Sequence, residues 1–167
     1  MLEHATVIPR LPDDYDKVNR YISFKSLDLG KAYKEVRKSF DKDPEDEHLA
    51  KAMQDLQRIV AVDMGRCDRM IENRDYGAAH ELLNLMCDKW AGSLPADEAR
   101  VYRVEMLRNS DAKKDVKAYK TFLKGEEMRT IRKYDKARPY YEKVIRNFAG
   151  TKSAERSERI LKQLPNE

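Results

Sequence analysis

The sequence predicts an all-α fold, an α-α superhelix of about seven to eight helices stacked as hairpins. Three observations predict it. Apolar residues recur three and four positions apart along most of the chain. Alternating apolar runs bounded by turns, the mark of strands, are missing. The chain also resembles itself at a fixed offset of 58 residues. Composition agrees. Charged residues make up 38% of the 167, against about 25% in an average domain. That excess suits helices with solvated outer faces. No run approaches the ~18 apolar residues of a membrane helix, so no membrane insertion is expected.

Pro9 and Pro12 keep the first dozen residues out of a helix, so residues 1–13 read as an arm or linker. Asp13 or Asp14 can cap a helix reaching about Lys25, with Val18, Tyr21 and Ile22 on one face. Asp28 caps the next, whose apolar positions are Leu29, Ala32, Tyr33, Val36 and Phe40. In Asp43-Pro44-Glu45-Asp46-Glu47, Asp43 can cap and Pro44 suits the first helical position. A long amphipathic stretch follows, from Leu49 to beyond Met64. Asp75 starts another helix, carrying Ala78, Ala79, Leu82, Leu83, Met86, Cys87 and Trp90, and Gly92-Ser93-Leu94-Pro95 ends it. A helix over 96–108 comes next. Asn109-Ser110-Asp111 then caps one running to about Lys133. Ala137, Tyr140, Tyr141, Val144, Ile145 and Phe148 form the cleanest stripe, with Pro139 inside it and Gly150 closing it. Thr151 or Ser153 starts the last helix.

At the 58-residue offset, Tyr76 meets Tyr134, Ala79 meets Ala137, and Leu82-Leu83 meets Tyr140-Tyr141. Met86-Cys87 meets Val144-Ile145, and Trp90-Ala91-Gly92-Ser93 meets Phe148-Ala149-Gly150-Thr151. A weaker copy lies 47 residues earlier, with Asp28 to Ala32 against Asp75 to Ala79. The small Ala lets one helix approach another, the bulky pair a turn later fills the gap, and the Gly can turn left-handed to close the helix.

These residues resemble tetratricopeptide-type (TPR-like) repeats, like those of bacterial envelope-assembly lipoproteins and the Tol-Pal accessory protein. The segment Tyr134-x-x-Ala137-x-x-x-Tyr141-x-x-Val144-Ile145-x-x-Phe148-x-Gly150-Thr151-x-x-Ala154 carries the resemblance most strongly. The spacing departs from the usual 34 residues, Ala149 stands where the family carries Pro, and Pro139 lies inside a helix. The resemblance implies a repeat domain over 14–164, with divergent repeats around 28–42, 46–91 and 112–148 and a final helix over 152–164. It implies a non-catalytic protein–protein interaction scaffold and no catalytic residue.

The residues carry little chemistry of their own. His80 has no second His four positions away, and Glu45-x-x-His48 occurs without the second such motif a helical metal site uses. A calcium loop starting at Asp41 would need Gly at its sixth position and Glu at its twelfth, where Asp46 and Ala52 stand. No P-loop, Gly-x-Ser-x-Gly or dinucleotide fingerprint occurs. No metal, cofactor or enzymatic activity is expected. Cys67 and Cys87 form no C-x-x-C. Antiparallel packing would put their Cα atoms beyond the ~7 Å a disulfide spans. Both are expected reduced, with Cys87 in the core as the counterpart of Ile145.

The net charge of +4 is uneven. Residues 1–110 net −3, whereas residues 111–167 hold 16 Lys and Arg against nine Asp and Glu, netting +7. The expected partner is a protein or peptide, and the last third suits an acidic one. Nucleic acid is disfavoured, because the aromatics among these basic residues fall on the apolar stripe. The expected contact residues are Tyr102, Arg103, Tyr119, Lys120, Arg132, Tyr134 and Tyr140, polar and aromatic positions beside the stripes. A monomer or weak dimer is expected. The first dozen residues lack the pattern of a signal peptide. The compartment stays open between the bacterial cytoplasm and, for a piece of a longer protein, the periplasm. The alternative function is a spacer or oligomerisation domain of a larger bacterial protein.

Overall fold

The computed structural model describes residues 10–22 and 28–165. These are all-helical, with no strand among them. A 3-10 turn over Asp13–Tyr15 leads into α1 (Asp16–Ile22), α2 (Leu29–Phe40), α3 (Glu47–Glu72) and α4 (Tyr76–Lys89). Then come α5 (Leu94–Met106), α6 (Ser110–Thr130), α7 (Tyr134–Asn147) and α8 (Lys152–Leu161). Two compact units emerge, one from Met1–Gly65 with Leu83–Val101 and the other from Arg66–Leu82 with Tyr102–Glu167.

In the first unit, α1 packs on α2. Asp28 caps α2 as expected, accepting from the Lys31 N–H at 3.0 Å. The core gathers Val18, Leu29, Ala32, Val36, Leu56 and Trp90. Gly30 is required here, since a Cβ would lie 2.5 Å from the Ala91 carbonyl oxygen. That close approach lets Tyr33 meet the Trp90 ring edge-on, centroids 6.2 Å apart. Two expectations need correcting. The cap of α3 is Asp46, not Asp43. Its carboxylate accepts from the His48 and Leu49 N–H groups at 2.9 and 3.1 Å, because 43–46 form a turn and the helix starts at Glu47. Pro95 does not end α4 but sits in the first turn of α5, where its missing N–H costs no bond.

In the second unit, α6, α7 and α8 pack around Phe122, Ala137, Tyr141, Val144, Ala154 and Leu164. Asn109 caps α6 and Thr151 caps α8, as expected. Pro139 lies within α7, which runs on through it. The helix expected to reach about Lys133 stops at Thr130, because Arg132 turns left-handed. Cys87, expected in the core, is only half-buried, as is Ile145, whereas Cys67 is fully buried; neither cysteine is in a disulfide. The helix expected to reach Lys25 ends at Ile22, and residues 23–27 lie outside the described residues.

The 58-residue offset reappears in the backbone. Helix α4 spans the positions that α7 spans 58 residues later, α3 and α6 end at matching positions, and α5 and α8 start at matching positions. Among the described residues, positive φ occurs at Arg74 and Arg132 (57° and 58°) and at Gly92 and Gly150 (72° and 82°). Each pair is 58 residues apart. The hydrogen bonds match too. Asp75 N–H reaches the Met70 carbonyl as Lys133 N–H reaches Met128, and Arg74 N–H reaches Ile71 as Arg132 N–H reaches Arg129. Each hairpin therefore turns through the same closed helix end, with a left-handed residue just past it.

Candidate functional site

The second unit concentrates the polar side chains, and α6 organises them. On its inner side lies Asp115, 1% exposed. Its carboxylate accepts the Gly77 N–H at 2.8 Å, the Ser153 N–H at 3.1 Å and the Ser153 hydroxyl at 2.9 Å. One buried charge thus serves the first turns of both α4 and α8, where free N–H groups favour an anion. The carboxylate of Asp75, just ahead of α4, pairs instead with the guanidinium of Arg156 on α8. Asp75 keeps the capping position through its backbone alone, its carbonyl accepting the Ala79 N–H. Gly77 is required, because a Cβ there would lie 2.3 Å from the Cβ of Tyr119.

Other polar groups also tie helices together. The Tyr141 hydroxyl donates to Glu126 at 2.5 Å, and burial together with that bond raises its pKa. Burial works against the Glu126 carboxylate, but Arg129 and Tyr141 hold it below its usual range. A recess of about 220 Å³ lies among Arg74, Tyr76, Asp111, Lys114, Asp115 and Gly150. The Lys114 ammonium donates to the Ala149 carbonyl at its edge, 2.8 Å away. Among the described residues, no three His, Cys, Asp or Glu side chains gather so as to hold a metal ion.

The seven expected contact residues do not form one site. Tyr102 hydrogen-bonds the Asp68 carboxylate on α3, and this bond, with partial burial, pushes its hydroxyl up to about 12. Tyr119 is half-buried, lies over Gly77 and stacks on Phe122 at 5.8 Å, and burial raises its pKa. Tyr134 packs against the apolar core, and Tyr140 is half-buried. Arg132 is exposed in the α6–α7 turn. Arg103 and Lys120 share one neighbour, since both act electrostatically on His80 of α4. Burial, then Arg103, then Lys120 lower the His80 pKa, against a raising effect from Glu81.

Sequence reasoning missed Lys113, Lys117 and Lys124. With Lys120 they stand at i, i+4, i+7 and i+11 along α6, all exposed, on the side opposite Ala118, Phe122 and Gly125. The spacing was the available signal. No family model, curated protein or solved structure matches the chain.

Proposed function

We propose that this protein is a non-catalytic protein–protein interaction scaffold, a divergent TPR-like array that holds a partner segment on its helical surface. The supporting observation is the recurrence of one hairpin at a 58-residue offset, with matching helix ends, left-handed turns and hydrogen bonds. Repeated hairpins generate extended, side-chain-rich surfaces and need no dedicated pocket. The use of the buried and half-buried polar groups also fits. Asp115, Asp75, Arg156 and Glu126 are engaged in joining helices, while Lys113, Lys117, Lys120 and Lys124 of α6 remain exposed.

The test is partner capture by the immobilised protein from its source lysate, followed by calorimetry with the purified partner. Arg103→Glu with Arg132→Glu is expected to weaken the purified complex by about tenfold. Unchanged capture and unchanged affinity would overturn the place given to Arg103 and Arg132 on the contact surface, and failure to retain any protein partner would sink the scaffold reading.

A further inference from the structure

We propose that the outer face of α6 is the contact surface of this scaffold, and that its occupant is an acidic protein segment presenting carboxylates on successive helical turns beside an aliphatic anchor. The proposal rests on the scaffold reading above and gives it a partner class.

Lys113, Lys117, Lys120 and Lys124 cover about 16 Å along the helix axis and fall within about 60° around it. Among the described residues, none is ion-paired with a carboxylate. The helix's own acids do not neutralise the stripe. Asp111 lies on the far side of the helix, Asp115 points to the core, Glu126 is held by Arg129 and Tyr141, and Glu127 alone follows the stripe, one turn past the last of the four lysines. Like charges at i, i+4 weaken a helix by a few tenths of a kcal/mol per pair. An acidic occupant would turn each of those repulsions into an attraction. Arg103 extends the cationic surface onto α5, and burial together with Arg103 and Lys120 disfavours a charge on His80 of α4.

Two exposed aliphatics select the class of partner. Leu123 is 37% exposed beside Lys120 and Lys124, and Ile131 is 53% exposed at the C-terminal cap of α6, about two turns past Lys124. They offer an anchor to an amphipathic segment. Bases find no stacking platform here, because Phe122 and Tyr141 are buried and Tyr119 is packed on Phe122. That favours protein over nucleic acid.

The test uses a synthetic helical peptide with Glu at i, i+4, i+7 and i+11 and leucines on the same face. A scrambled peptide of equal composition, polyuridylate and phosphatidylserine vesicles serve as competing probes. Binding is read by fluorescence anisotropy on the full chain. The ordered peptide is expected to bind about tenfold more tightly than the scrambled one. The triple variant Lys117→Glu/Lys120→Glu/Lys124→Glu should lose at least about tenfold, and its Lys→Gln counterpart a smaller factor in the same direction. The control Lys136→Glu/Lys143→Glu/Arg146→Glu, which changes the charge equally on α7, should stay within about twofold. Helical circular dichroism and the urea unfolding midpoint establish that each variant is folded. Equal losses in both triple variants, no preference for the ordered peptide, or tighter stripe-dependent binding of polyuridylate or vesicles would each overturn the proposal. The scaffold reading fails separately, when the immobilised full chain retains no protein partner from its source lysate.

Discussion

Asp115 takes on capping work that a local residue usually does. Three donors converge on its carboxylate, two of them backbone N–H groups at different helix starts. Replacing it with Ala leaves these donors without their acceptor in a buried place. Asp115→Ala is therefore expected to lower the unfolding free energy by about 3 kcal/mol in urea titrations, and Asp115→Asn by less. His80 provides a second prediction at this scale. Its folded pKa lies below the ordinary 6.5, owing to burial, Arg103 and Lys120. The unfolded chain therefore takes up a proton first as the pH drops. The stability associated with neutral His80 is complete above about pH 6.5, declines as the pH falls toward the folded value, and levels off below it. His80→Gln should flatten that part of the urea-midpoint profile. An unchanged profile would show that His80 has no such shift.

At the scale of the element, the two hairpin turns carry a cost that can be measured. Arg74 and Arg132 adopt the left-handed conformation at the closing position of α3 and α6, which costs a side-chain-bearing residue about 1 kcal/mol. Arg74→Gly and Arg132→Gly should each raise stability by about 0.5 kcal/mol after the extra chain entropy of glycine is counted, read as a rise in melting temperature. Helix boundaries were legible where the cap is local. Asp28, Asn109 and Thr151 stand next to the N–H groups they serve. They were not legible where the choice depends on distant chain. Asp75 looks like a complete cap until Arg156, 81 residues later, claims its carboxylate. Asp43 and Asp46 are equivalent on paper, and only the turn over 43–46 separates them.

At the scale of the whole chain, the hairpin repeat was readable as a register of residue types, and the backbone carries the same offset. The candidate site was legible only in part. The +7 of residues 111–167 pointed to the same third of the chain as the exposed lysines of α6. Aromatic residues were expected at the surface there, yet Tyr119 and Tyr134 are largely spent on packing, because a helix stripe marks the inside without saying how deep each ring sits. The lysines of α6 were visible as a spacing, but their lack of carboxylate partners among the described residues emerges only once Asp115 and Glu126 are seen turned to other work.

The link through Asp115 also bears on how long the folded molecule lasts. Gly77 precedes Asp115 by 38 residues and Ser153 follows it by 38. Hairpins close over short loops and form early, whereas these links require two longer loops to be closed already. The stabilisation from Asp115 is therefore expected to form after the transition state. Its removal should accelerate unfolding while leaving the refolding arm of the chevron almost unmoved. A carboxylate that contributes little to reaching the native state would then govern the waiting time before it is lost.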